Sequence, residues 1–243
     1  MAPKKMIADC TDCMLAKNCV PSGLSEKDLY RFTDIVSTNI QYKAGDVLCQ
    51  QNDKAHYLYV VKAGSFKTQT TTTNGTEHVN NFFLAGDIIG LDSAFGGTAL
   101  STASALEDGM ACKIRYSQLA ALRKELPSLS DLAVSFYANA LAAANQIQNN
   151  LTIQCASSRL AAFILLYNQR LNEHRQHQAD IHLSMSRQDI ASHLGLAVET
   201  ISRSFSKLIE TGSISKNGHH IQILDLQKLE QEANLPARQI NES

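Results

Sequence analysis

The distribution of glycine and proline does most to restrict what this chain can fold into. Nine of its twelve glycines lie between Gly23 and Gly109, and none lies between Gly109 and Gly195. Proline is absent between Pro127 and Pro236. Glycine supplies tight corners and proline ends helices, so the chain switches near residues 110–127 from turn-rich to helix-permissive. In the first part, glycine turns recur at Lys43-Ala-Gly-Asp46, Lys62-Ala-Gly64, Asn74-Gly75 and Leu84-Ala-Gly-Asp87. Between them run β-favouring stretches from Tyr57 to Val61, Ser65 to Thr73 and Val79 to Leu84. Asn-Gly between two such runs marks a hairpin. Many short strands at this spacing predict an antiparallel barrel or jelly roll.

The 243 residues are 44% apolar and 19% charged, enough for a packed core in one large domain or two modest ones. A formal net charge of -1 excludes a surface dominated by one sign. No apolar run approaches the ~18 residues of a membrane span, so no membrane partner is expected. Met1 to Cys10 carries basic residues with no apolar signal core behind them, and a cytoplasmic location with reduced thiols is expected.

Of six cysteines, Cys10, Cys13 and Cys19 form a Cys-x2-Cys-x5-Cys cluster. In a reducing compartment such spacing reads as metal binding before disulfides, because a short irregular loop can turn several thiolates towards one soft metal centre. Flanking Thr11, Asp12, Lys17, Asn18 and Pro21 favour a loop. Three ligands are one short of a tetrahedral site or a [4Fe-4S] cube. Cys49, Cys112 and Cys155 are each open as the fourth, and spacing does not separate zinc from iron–sulfur.

Pro127 opens a long helical stretch in which Ala133, Tyr137, Ala140, Ala144, Ile147 and Leu151 step alternately by four and three. That is the seam of a helix that pairs with another helix. Small residues at Ala140 and Ala144 allow close approach, and no acidic residue lies between Asp131 and Glu173. A second amphipathic helix carries Leu160, Phe163, Ile164, Tyr167 and Leu171 on one face.

Ser186 to Leu208 then reads as a helix-turn-helix. Ser186 caps the first helix, with Asp189 at the favourable end of its dipole. Ile190 and Leu194 face inward, and Ala191 is small where the helices cross. Gly195 supplies the left-handed turn. Val198, Ile201, Phe205 and Leu208 form the buried stripe of the second helix. Its opposite face begins with Glu199, Ser202 and Arg203, which suit base edges: Arg donates twice to guanine, and Glu accepts from cytosine. All three sit near the end that enters the major groove in this motif. Ile214 to Gly218 and Ile221 to Ile223 read as a hairpin wing. From Cys155 to Ser243 nine Lys/Arg balance nine Asp/Glu, so recognition rests on specific contacts rather than bulk charge. Six histidines lie there (His174, His177, His182, His193, His219 and His220) and are read as solvated or helix-flanking groups.

Over essentially its whole length the chain resembles FNR-type regulators of the CRP/FNR superfamily. The resemblance rests on the Cys10/Cys13/Cys19 spacing, on Ala105 to Cys112, on Arg159 to Ile164 and on Leu194 to Arg203. It implies an α+β protein with a cyclic-nucleotide-binding-like antiparallel β-barrel, a dimerisation helix and a winged helix-turn-helix. The corresponding segments are a cysteine-rich stretch at 1–22, a barrel at 23–127, a helix at 128–155 and a DNA-binding domain at 156–235. It further implies an oxygen-labile [4Fe-4S] cluster on Cys10, Cys13, Cys19 and Cys112. It assigns Glu199, Ser202 and Arg203 to a palindrome of the TTGAT...ATCAA type, and a homodimer and RNA polymerase as partners. It leaves Cys49 and Cys155 as bystanders, packed as small apolar groups.

Two departures carry expectations of their own. Leu100-Ser101 lies where cyclic-AMP-binding relatives carry Arg, and Gly86-Asp87 and Gly90-Leu91 stand in the region of their Gly-Glu pair, which argues against a cyclic nucleotide ligand. Ala144 lies near a place where FNR-type relatives commonly carry an acid, so a dimer that persists without the cluster is expected. The rival reading is a zinc-stabilised or small-ligand-sensing regulator without oxygen chemistry. No Walker loop, G-x-S-x-G or HExxH motif points to an enzyme.

Overall fold

A computed structural model of the chain describes residues 10, 13, 15, 19, 24–94, 97–153, 155–173 and 180–234. These form two compact units, divided between Ala140 and Leu141.

The first unit begins with α1 (Glu26–Thr33), capped by Ser25, whose hydroxyl accepts from the Asp28 N–H. Eight strands follow: β1 (Val36–Tyr42), β2 (Val47–Cys49), β3 (Tyr57–Ala63), β4 (Phe66–Thr71), β5 (Glu77–Phe83), β6 (Ile88–Ile89), β7 (Thr102–Ala105) and β8 (Gly109–Arg115). They make two four-stranded antiparallel sheets, ordered β1-β8-β3-β6 and β2-β7-β4-β5, the jelly-roll architecture expected from the turn spacing. The β4–β5 hairpin turns at Asn74-Gly75, though not as a two-residue loop. Thr72 pairs with Thr76, the Gly75 N–H donates to the Thr72 carbonyl, and Gly75 takes φ +82°. Glycine there fills the left-handed position of a three-residue loop.

Strand β3 is apolar on both faces because both are covered. Tyr59 and Val61 meet Phe66, Ala103, Ala105 and Ala111 between the sheets. Leu58 and Val60 meet Phe32, Ile114, Leu122, Leu126 and Leu129 on the outer face, beneath helices. Strand β1 serves both layers by a β-bulge. Val36 pairs with Ile114 and Ile40 with Ala111, so one extra residue of β1 is accommodated between them. The side-chain period is two, so the insertion turns the strand over. Val36 joins the outer cluster and Tyr42 the inter-sheet one.

After β8 come α2 (Tyr116–Glu125) and α3 (Ser128–Thr152). Helix α3 ends at Thr152, before the expected 155; the Thr152 hydroxyl donates to the Asn149 carbonyl and the Ile153 N–H to that of Asn150.

The second unit contains α4 (Ala156–Glu173), β9 (Asp180–His182), α5 (Arg187–Leu194), α6 (Val198–Glu210), β10 (Ile214–Asn217), β11 (His220–Ile223) and α7 (Leu226–Ala233). Strands β10, β11 and β9 form one antiparallel sheet, and the β10–β11 hairpin is the expected wing. Leu160, Ile164, Ile190, Leu194, Ile201, Phe205, Leu208 and Leu229 are buried. Val198 is not. It is 38% exposed, and Ser204 takes its place in the buried stripe, donating to the Thr200 carbonyl. The inward face of α6 thus starts one turn later than expected, because the first turn projects past the turn at Gly195.

Candidate DNA interface and cysteine site

The helix-turn-helix is held by local bonds. The Asp189 N–H donates to the Ser186 hydroxyl and the Ser186 N–H to the Asp189 carboxylate, each at 3.0 Å, a reciprocal cap on α5. Gly195 closes α5 at φ 62°, ψ 39°. Arg159 of α4 fixes this corner: its Nη1 donates to the Leu194 carbonyl at 2.8 Å and its Nη2 to that of Ile153 at 2.7 Å. Gly195 and Arg159, both within segments that carried the family resemblance, therefore meet at one turn. The same α4 packs an aromatic edge on the motif. His193, in the last turn of α5, is buried with its ring 5.8 Å from Phe163, so of the solvated or helix-flanking alternatives expected it is not the solvated one. His174 and His177 lie outside the described residues.

Glu199 and Arg203 are exposed on α6, with half-buried Ser202 between them on the same face. Ser206 continues that face one turn on, donating to the Ser202 carbonyl at 3.3 Å. The structure adds Arg187, which sequence reasoning missed: from the first turn of α5 its Nη1 donates to the Ser202 hydroxyl at 3.1 Å. Its guanidinium lies 5.9 Å from the Phe205 ring, and the Lys216 ammonium of the wing lies 5.7 Å from it. The position of Arg187 immediately after the cap was the available signal. One exposed face thus carries two guanidinium groups, a carboxylate and hydroxyls, the donor and acceptor set that reads base edges and phosphates.

In the first unit, Cys10, Cys19 and Cys112 pack against the outer apolar cluster that contains Phe32, Leu58, Val60 and Leu129. The Cys13 N–H reaches the Cys10 carbonyl at 3.4 Å. Burial pushes the Cys112 thiol above its ordinary pKa, opposed by the Asn39 backbone N–H and the Lys62 ammonium and reinforced by Cys13. Among the described residues, no three His, Cys, Asp or Glu side chains stand close enough to hold a metal ion. The four thiols share a neighbourhood without closing a ligand set; as a donor set they suit a soft iron–sulfur or zinc centre.

The two remaining cysteines differ. Cys49 is half-buried, and burial raises its pKa. Cys155 is exposed rather than packed, which corrects the expectation of a buried bystander. It precedes α4, its Sγ lies 3.0 Å from the Ser157 hydroxyl, and hydrogen bonds from Ser157 and Ser158 bring its pKa down to about 7.

On α3, Ala133 and Ile147 are half-buried, while Ala140, Ala144 and Leu151 are exposed. Tyr137 is half-buried and its hydroxyl donates to the Leu91 carbonyl of the barrel at 3.3 Å. The most exposed of the large apolar groups on this helix are Val134 and Leu141, at 67% and 64%, which the expected seam omitted. They lie on the adjoining arc of the same helix. Leu129, Leu132 and Phe136 occupy the barrel side.

Leu100 is exposed and Ser101 buried. Asp87 accepts from the Leu84 N–H at 2.6 Å and so closes its own turn.

Residues 158–232 match the Crp-like helix-turn-helix domain, and residues 39–125 match the cyclic nucleotide-binding domain. The chain is 32% identical over 224 residues to the transcriptional regulatory protein btr of Bordetella pertussis, covering 92% of this chain and 93% of that one. It is 31% identical to the fumarate and nitrate reduction regulatory protein of Escherichia coli, covering 88% and 86%. The chain belongs to the CRP/FNR superfamily of transcription regulators. FixK2 from Bradyrhizobium japonicum, a solved structure, is similar to this regulator with a TM-score of 0.75 and 26% identity, over 82% of this chain and 98% of that one. The regulator is a DNA-binding protein through its helix-turn-helix, and the relatives named here are regulators, not enzymes. Among the described residues no helix is long and apolar enough to cross a membrane.

Proposed function

We propose that this regulator responds to oxygen, reading DNA as a homodimer while Cys10, Cys13, Cys19 and Cys112 hold a [4Fe-4S] cluster. One observation carries the reading. Cys10, Cys19 and Cys112 pack on the apolar cluster that also takes Leu129, Leu132 and Phe136 from the first turns of α3. When bound, the cluster would supply an oxygen-labile cross-link between the cysteine-rich segment and β8. Cys112 offers its thiolate from the middle of a sheet, which gives that cross-link a rigid anchor. Leu129, Leu132 and Phe136 make the base of α3 sensitive to how that end of the barrel is ordered. The exposed Val134, Leu141 and Ala144 suit pairing of α3 with a second copy. Pairing would set two copies of α6 about 34 Å apart, one turn of DNA. There Arg203 donates to guanine, Glu199 accepts from cytosine and Ser202 adapts, on a TTGAT...ATCAA palindrome. RNA polymerase is the partner expected once DNA is bound. The similarity to fumarate and nitrate reduction regulatory proteins supports a role in anaerobic gene control.

Purification without air tests this. A brown protein containing iron and acid-labile sulfide, with an operator footprint lost on aeration, is expected. A protein without iron, or a footprint unchanged by air, overturns it. A colourless zinc-bound protein would select the zinc-stabilised alternative.

A further inference from the structure

Cys112 lies in β8, the strand between β1 and β3. Both neighbours carry an extra residue close to it, on β1 opposite Cys112 and on β3 opposite the step from Ala111 to Met110. On β1 the register shifts between Ser37 and Ile40, opposite Cys112, and Asn39 within that bulge takes φ 55°. On β3 the register shifts between Val61 and Ala63, so Lys62 is the inserted residue, two places beyond Val60, the partner of Cys112. The two inserted residues then meet. The Lys62 Nζ donates to the Asn39 side-chain oxygen at 2.5 Å. Strands two apart in a sheet are separated by about 10 Å, so only a long side chain can make this bridge, and it must cross β8 to do so.

An exposed lysine–amide pair adds little stability, and each bulge interrupts a hydrogen-bonded ladder. Bulges on both strands that flank Cys112, within two residues of its partners and joined to each other across β8, therefore point to that part of the strand. We infer that Asn39 and Lys62 form an outer shell around the Cys112 sulfur, positioning it as a cluster ligand and slowing its release. The inference rests on the iron–sulfur reading of Cys112. The Lys62 ammonium balances the charge of the thiolate and the Asn39 amide holds the ammonium in place. The same bulge turns the Asn39 backbone N–H towards Cys112, consistent with the opposing influence of that group and of Lys62 on the Cys112 thiol. Such partners fix the orientation of a ligand and tune its hold on metal. Asn39 and Lys62 are positioning residues, acting through the ligand rather than on the metal.

The test uses the full-length protein, purified and reconstituted without air, and an iron(II) chelator as probe. Lys62→Met keeps the aliphatic stem and removes the charge. Asn39→Gly keeps the positive φ and the N–H and removes the anchor for Lys62. Both should lose iron to the chelator about tenfold faster than wild type, with unchanged far-ultraviolet spectra and melting of the apo protein. Lys62→Arg should restore most of the wild-type rate. Loss at the wild-type rate in both variants, from a wild type that does contain iron, overturns this inference alone. A wild type without iron overturns the cluster reading and this inference together.

Discussion

In the helix-turn-helix, the groups that set geometry are neighbours in sequence. Ser186 and Asp189 cap each other three residues apart, and Gly195 turns the chain where it stands. At the cysteine end of the barrel the reverse holds. Cys19 and Cys112 reach one apolar cluster only because strands with other partners bring β8 there. Both strands adjacent to β8 carry a bulge near Cys112. A site built locally survives changes elsewhere in the chain. A site assembled through sheet register responds as a whole when one tie is cut, which is the property a switch requires.

Three substitutions and one pH profile would break or sharpen this contrast. Cys112→Ser should have the largest effect: reconstituted protein should retain no cluster iron, while the thermal transition of the second unit stays in place. Iron retained in full would remove Cys112 from the ligand set. Arg203→Ala should cost about 1–3 kcal/mol at one base pair in each half-site, seen as relaxed discrimination in competition binding. An unchanged footprint and base preference would remove Arg203 from the readout. Gly195→Ala should destabilise the second unit by about 1–2 kcal/mol, measured by urea unfolding. The cost is conformational, since an added Cβ would meet nothing closer than Arg159 Nη1 at 4.0 Å. The smallest effect belongs to Cys155. Its depressed pKa favours the thiolate in the folded state, so its small stabilising contribution is present at high pH and is lost as pH falls through about 7. Alkylation of Cys155 should accordingly rise through a midpoint near 7 in folded protein and near about 8.5 in urea. Equal midpoints would show that the Ser157 and Ser158 hydrogen bonds do not act on it.

Much of the fold was readable in the residues, for reasons that differ by region. Turn glycines announced the strands because few residues tolerate positive φ. The cap at Ser186 and the breaker at Gly195 announced the two helices because both act within one turn of backbone. Val198 was misread because period alone does not say which turn of a helix first meets a neighbour. The α3 seam had the same weakness. Its heptad steps were visible, yet Val134 and Leu141 rather than Ala133 and Ile147 carry the large exposed apolar surface.

By itself the sequence determined the two-part organisation, the helix-turn-helix with Glu199, Ser202 and Arg203 on its outer face, and a set of thiols suited to a soft centre. Those follow from backbone preferences and from chemistry carried by single residues or short spacings. Tertiary structure alone decided that Arg187 reaches Ser202, that Arg159 ties down Leu194, and that Asn39 and Lys62 meet across β8. Each of these depends on helix crossing or strand register, and register is fixed by the sum of packing over a whole sheet rather than by any local stretch of chain.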